Sequence, residues 1–186
     1  MVALGGSIAV YGEKSDGSDW NVGIQDPNGK DGEVLGGIKV KSGTSISTSG
    51  DYEKTFTDKK TGKRYFHILD SKTGYSVKTD IRSCTIICDS GINADGLSTA
   101  CFSLGVKKSQ KLLKKYNAKA VFVDKNNKVY VSDGVEHSPV IYKRSVDIRL
   151  NLTGICCTFV QLNRMSVCNF RYILSLHQCE IVVSHW

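Results

Sequence analysis

The sequence predicts an α+β fold, with a mainly antiparallel sheet built from hairpins and two central helices. Three observations predict it. Short alternating or β-branched runs are separated by turns rich in Gly, Asn and Asp, as hairpins require. Helical periodicity is confined to one stretch, Ile92 to Tyr116, so strands and helices do not alternate as they would in a doubly wound sheet. A chain of 186 residues, 40% hydrophobic and 23% charged, can bury a core of its own.

Ser7 to Tyr11 alternates as a strand, and the apolar start at Val2 reads as a strand that begins at once. Trp20 to Ile24 is a strand closed by Asp26-Pro27-Asn28-Gly29, a strong turn signal. Gly37 to Lys41 and Thr44 to Thr48 are short strands split by Ser42-Gly43. Tyr52 to Thr57 and Arg64 to Leu69 flank Lys59-Lys60-Thr61-Gly62-Lys63 as a hairpin. Ile81 to Cys88, rich in β-branched residues, is a buried strand. Ile92 to Leu104 is helical through Leu97, Cys101 and Leu104, and Gly105 is a natural stop. Val106 to Tyr116 is a second helix, basic outside and apolar at Leu112, Leu113 and Tyr116. Lys119 to Asp124 and Lys128 to Ser132 form a last hairpin around Asn126-Asn127.

The formal net charge of +7 is modest and reads as a solvated lysine-rich surface. The run Lys107-Lys108 and Lys111, Lys114, Lys115 lacks the interleaved aromatics of a nucleic-acid platform, so no nucleic-acid partner is expected. No window approaches the about 18 apolar residues of a membrane span, and the N-terminus lacks the charged start and apolar core of a signal peptide. Seven cysteines cannot all pair internally and none stands in a C-x-x-C, so reduced thiols are expected.

Composition divides the chain near Pro139. Residues 1–138 hold 17 of the 18 glycines and only two arginines, Arg64 and Arg82. Residues 139–186 hold one lysine against four arginines, four of the seven cysteines and a single glycine. The expectation is one functional domain over 1–138 and an atypical tail over 139–186, out of frame, read through or recently added. The opposing reading is a genuine apolar element such as a dimerisation strand.

The candidate chemistry sits between Tyr65 and Thr99. Asp95 and Thr99 are four apart, so a helix puts both on one face. A carboxylate and a hydroxyl so placed can hold a hard cation such as Mg²⁺. The plainer alternative is capping, by Asn93 or Asp95. His67 lies near a strand end, followed by the turn residues Asp70, Ser71, Thr73 and Gly74, and can act as acid, base or phosphate donor. Ser49-Gly50 is expected to offer exposed backbone amides to an anion.

Thr48-Ser49-Gly50-Asp51-Tyr52, then His67-Ile68-Leu69-Asp70 with Thr73-Gly74, then Asp95-x-x-x-Thr99-Ala100 with Gly105, together resemble the ApbE family, the FAD:protein FMN transferases. Gly5-Gly6 and Trp20-x-x-Gly23-Ile24-x-Asp26-Pro27 resemble the family's preceding segment. The resemblance covers about residues 4–134. It implies transfer of FMN from FAD to a Ser or Thr hydroxyl of a target flavoprotein, with release of AMP. It implies Mg²⁺ as cofactor and FAD as substrate. It makes Asp95 and Thr99 metal ligands and His67 and Asp95 catalytic. It places Leu69 and Ser98, with Ser49 and Gly50, against the flavin nucleotide, and all of these in one cleft. Ser71 stands where the family usually has proline, and Ser7 where it commonly has an acidic or amide residue. Family members are much longer at the N-terminus and are often exported and membrane-anchored through it, so the chain reads as the C-terminal catalytic lobe. Hydrolysis of FAD to FMN and AMP, or a non-catalytic flavin-binding fragment, are the competing readings.

Overall fold

The computed structural model describes residues 1–30 and 32–136, and the backbone of the strand Ile148–Leu150. In chain order the elements are β1 (Val2–Leu4), β2 (Ser7–Ala9), β3 (Trp20–Gln25), β4 (Val34–Val40), β5 (Ser45–Gly50), β6 (Thr55–Thr57) and β7 (Arg64–Phe66). They continue with β8 (Ile81–Cys88), the helix α1 (Gly91–Lys115), β9 (Lys119–Asp124), β10 (Val129–Ser132) and β11 (Ile148–Leu150). Seven strands form one sheet in the order β1-β2-β5-β8-β9-β10-β11, while β3–β4 and β6–β7 are separate hairpins. Every pair is antiparallel except β10–β11, which is parallel. The expected α+β architecture is therefore observed. Of the expected tail, only the backbone of Ile148–Leu150 is described, against Tyr130–Ser132; the rest lies outside the described residues.

The period-two alternation of β8 and β9 builds two cores, one on each face of the sheet. Cys84, Ile86 and Cys88, with Ala120 and Phe122, face Ala94, Leu97, Cys101, Phe102 and Leu113 of α1. Ile87, Val121 and Val123 point the other way and meet Val22, Ile24, Leu35, Ile38 and Val40 of the β3–β4 hairpin. The result is three layers, helix on sheet on hairpin. Phe102 and Phe122 are fully buried, and burial of such a side chain is worth about 1.5–3 kcal/mol. Burial pushes the Cys84 thiol well above its ordinary pKa, so it packs as a neutral, hydrophobe-like group.

The two expected helices follow one another directly within α1 and meet at a kink. Gly105, at φ 74° and ψ 172°, interrupts α1, a left-handed backbone setting that glycine alone adopts without cost. Ser109 Oγ then donates to the Gly105 carbonyl at 2.7 Å and the Cys101 carbonyl at 3.2 Å, covering oxygens near the break. At the other end the cap is neither Asn93 nor Asp95. Ser90, extended at φ −121° and ψ 119°, accepts from the Asn93 amide at 3.3 Å. The hydroxyl preceding the first turn takes that role and leaves the Asp95 carboxylate free of it.

The hairpin β6–β7 is shorter than expected at its start. Asp51 and Tyr52 turn inward instead of extending the strand. Asp51 is 4% exposed, and its carboxylate lies 2.7 Å from Arg82 Nε and 3.4 Å from Arg64 Nη1. The Arg82 contact is an ion pair whose N–H is not aimed at the oxygen. Arg82 Nη2 also donates to the Pro27 carbonyl at 3.0 Å. This cluster ties the start of the hairpin to β8 and to the β3–β4 turn. Among the described residues no helix is long and apolar enough to cross a membrane.

Candidate functional site

The site begins with an inconsistency in an otherwise apolar interface. Ser45, Ser47 and Ser49 of β5 stand opposite Cys88, Ile86 and Cys84 of β8, so all three serines share the sheet face that carries α1. Small hydroxyls there let the helix come close and give it hydrogen-bond partners. Ser47 Oγ donates to Asp95 Oδ1 at 3.3 Å. Ser49 Oγ lies 2.7 Å from Ser98 Oγ and 3.1 Å from Thr99 Oγ1. Ser98 Oγ also donates to the Asp95 carbonyl at 2.8 Å. The i,i+4 spacing thus turns Asp95 and Thr99 toward the same strand, with both residues exposed and Ser98 buried between them.

Behind them the network continues inward. Ser47 is 2% exposed, and its Oγ lies 3.1 Å from Ser7 Oγ of β2. With Ser47 donating to Asp95, Ser7 donates to Ser47. Ser47 is a positioning residue that sequence reasoning missed. Its signal is the serine at every second position of a strand whose opposite face is apolar at Ile46. Ser7, noted as a departure from the family pattern, belongs to the same chain of hydroxyls.

Four of the expected site residues, Ser49, Asp95, Ser98 and Thr99, are therefore brought together. Gly50 does not offer the exposed amide expected of it. The residue is buried, and a Cβ placed there would lie 2.3 Å from Tyr52 Cε1 and 3.1 Å from the Arg82 carbonyl oxygen. Glycine is needed because Tyr52 covers it. Burial, with Glu53 and Asp51 nearby, pushes the Tyr52 phenol well above its ordinary pKa.

His67 and Leu69 occupy a second place. His67 follows β7, is exposed, and its amide donates to the Lys54 carbonyl at 3.2 Å. Leu69 bridges Ser76 and is 58% exposed. The turn between them closes on Asp70, whose carbonyl accepts from Thr73 and Gly74 amides and whose carboxylate accepts from the Lys72 amide. This is the expected turn. His67 and Leu69 line a hollow of about 640 Å³ with Phe56, Tyr65 and Tyr75. That hollow includes none of Ser49, Asp95, Ser98 or Thr99, so the single expected cleft is two places in the described chain. An adjoining hollow of about 930 Å³ shares Tyr65, Phe66, Tyr75 and Ser76 with the first and reaches Ser103. Ser103 Oγ donates to the Thr99 carbonyl at 2.9 Å, so this second hollow ends one turn from the Asp95–Thr99 face.

Among the described residues no three His, Cys, Asp or Glu side chains gather as metal ligands. The donor set at β5–α1 is instead one carboxylate with neighbouring hydroxyls. All are hard oxygen donors, which suits Mg²⁺, and they are fewer than its six-coordinate shell demands.

Comparison with known proteins gives the family. The ApbE family pattern matches residues 1–122. The FAD:protein FMN transferase of Treponema pallidum is 37% identical over 144 residues, covering 73% of this chain and 39% of its own length. The Haemophilus influenzae protein of the same name is 30% identical, covering 71% of this chain and 38% of its own length. Among solved structures, an ApbE protein from Thermotoga maritima superposes with a TM-score of 0.62 at 34% identity, covering 70% of this chain and 41% of that one. The flavin transferase ApbE from Vibrio cholerae gives 0.58 at 29% identity, over 72% of this chain and 42% of that one. The chain spans about two fifths of the length of these relatives. With the family pattern running through β1 to β9 and the hydroxyl-lined face of α1 inside it, the chain belongs to the ApbE family.

Proposed function

We propose that this chain contributes the C-terminal lobe of a FAD:protein FMN transferase. The observation that carries the reading is the alignment of Asp95 and Thr99 on one face of α1, held by Ser47 and Ser49 of β5. The names of the relatives supply the FMN donor, FAD, and the kind of acceptor, a protein.

In the proposed reaction, the oxygen of an acceptor Ser or Thr hydroxyl attacks the FMN phosphorus of FAD. The bond from that phosphorus to the bridging oxygen breaks, and AMP leaves. His67 takes the hydroxyl proton as the new phosphoester forms. Leu69 and Ser98, with Ser49 beside it, border the flavin nucleotide. Asp95 and Thr99 would hold Mg²⁺, which would supply positive charge against the negative charge that develops in the transfer. Ser47 fixes the Asp95 carboxylate. Bringing His67 to the Asp95 face is assigned to the bound substrate, through the hollow that reaches Ser103.

The test is complementation. The chain, fused to the remaining length of the Treponema pallidum relative, is incubated with FAD, Mg²⁺ and a target flavoprotein, and the target is weighed by mass spectrometry. The expected result is a Mg²⁺-dependent FMN adduct that Asp95→Ala abolishes. Release of FMN and AMP without an adduct would replace transfer by hydrolysis. An adduct that survives Asp95→Ala would remove the metal role of that residue.

A further inference from the structure

Where β5 meets α1, the hydroxyls of Ser49, Ser98 and Thr99 and the Asp95 carbonyl fix the direction of their own hydrogen bonds. The carbonyl can only accept, so the single hydroxyl proton of Ser98 goes to it, across 2.8 Å. The 2.7 Å contact between Ser49 and Ser98 then takes its proton from Ser49. With that proton spent, the 3.1 Å contact between Ser49 and Thr99 takes its proton from Thr99. The order is Thr99 to Ser49 to Ser98 to the Asp95 carbonyl. No other order supplies all of these contacts, because each hydroxyl carries one proton.

That order decides what the face offers a ligand. Thr99 turns its proton in toward β5 and leaves the lone pairs of Oγ1 outward. The ionised Asp95 carboxylate is acceptor-only, and Ser47 donates to its Oδ1 from the buried side. Ser98 is buried and Ser49 half-buried, and neither has a proton left to give. The exposed oxygens of Asp95 and Thr99 therefore present lone pairs and no donor. A hard cation is served by such a pair, and a bare phosphate is not. The i,i+4 spacing alone does not achieve this, because a threonine hydroxyl free to rotate can point its proton at the ligand.

We propose that Ser49 is a positioning residue for the cation and acts through Thr99. By accepting the Thr99 hydroxyl proton, it holds the Oγ1 lone pairs outward before the cation arrives. The proposal rests on the transferase reading, in which Asp95 and Thr99 take Mg²⁺. It gives Ser49 a task separate from bordering the flavin nucleotide. Groups that orient a metal's ligands are worth about 10–100-fold in its affinity. Ser98 takes part by accepting the Ser49 proton, which leaves Ser49 nothing to offer Thr99 except a lone pair.

The test is a double-mutant cycle on the chain fused to the remaining length of the Treponema pallidum relative. Mn²⁺ is the probe, FAD is left out, and affinity is read from the electron paramagnetic resonance signal of the free ion, so no turnover is needed. Ser49→Ala is expected to weaken Mn²⁺ binding by about tenfold, and Ser49→Thr, which keeps the hydroxyl, to restore most of the loss. Thr99→Val removes the ligand itself. In that background Ser49→Ala should change affinity by less than about twofold, because no hydroxyl proton remains to be accepted. Ser49→Cys, close in shape but a weak acceptor, should behave as the alanine variant and replaces it if that variant fails to fold. A serine that only packs gives a different pattern. Its removal leaves Mn²⁺ affinity unchanged, or lowers it by the same factor with and without the Thr99 hydroxyl, and either result overturns the proposal. The two ideas fail separately. Loss in Thr99→Val without loss in Ser49→Ala defeats the positioning role alone. No Mn²⁺ binding by the parent fusion, or undiminished binding in Asp95→Ala and Thr99→Val, defeats the metal assignment and the proposal with it.

Discussion

The ring of Tyr52 lies over the α-carbon of Gly50, so close that a methyl group there would meet Cε1 at 2.3 Å and Cδ1 at 2.8 Å. Gly50→Ala must therefore push the ring off the end of β5. The expected cost is about 1–3 kcal/mol, the range for overpacking a filled site, read as a lower urea midpoint at unchanged slope. In a Tyr52→Leu background the same substitution should cost clearly less. Equal costs in both backgrounds would locate the strain at the Arg82 carbonyl instead.

Asp51 is the buried anion between Arg82 and Arg64. Replacing one partner of a buried pair leaves the other charge uncompensated, at about 3–5 kcal/mol. Arg82 retains the Pro27 carbonyl and its side chain is 20% exposed, so Asp51→Asn should fall at the low end of that range. The loss should centre on the β6–β7 hairpin, with its amides exchanging faster than those of β8 and β9. A variant as stable as the parent would show that the arginines need no anion there.

In the fused enzyme, His67→Ala should lower turnover by about 10²–10⁴-fold and leave flavin affinity nearly unchanged. The side chain is exposed and the backbone is held by its own amide, so the fold should survive the change. Pre-steady-state transfer rates set beside a flavin titration separate the two quantities. Parallel losses in both would make His67 a binding residue rather than a proton acceptor.

Removing residues 139–186 should leave the spectra and melting temperature of 1–138 unchanged and improve solubility, since apolar segments are prone to edge pairing. The parallel contact of β11 with β10 supplies the opposite outcome. A second deletion from residue 151 retains that strand. If only the longer deletion unfolds the domain, β11 is part of the fold and the boundary near Pro139 is wrong.

Legibility followed how local each cause was. Ile81–Cys88 and Lys119–Asp124 were readable to the residue because each is a β-branched run with turns on both sides. Gly105 was readable as a stop, although the chain resumes its helix directly beyond it. The cap was misread because Asn93, Asp95 and Ser90 are all good capping residues, and only backbone direction separates them. Ser47 was missed because a serine in a strand looks like surface until its register against Ile86 places it under α1. Asp51 was invisible as an ion-pair centre because Arg64 and Arg82 meet it from different parts of the chain. The separation of His67 from Asp95 is likewise tertiary, set by where the β6–β7 hairpin projects.

The break at Gly105 gives α1 a mechanical character that an uninterrupted rod would lack. Its first arm is pinned to β5 by Ser98 and Thr99 and seated in the core by Ala94, Leu97, Cys101 and Phe102, and its second is seated there by Leu113. A continuous hydrogen-bond ladder would carry torque from one end to the other. Here the ladder is cut, and Ser109 bridges the cut with a side chain rather than a backbone bond. The two arms can therefore take different directions across one sheet face, each fixed there by its own core residues.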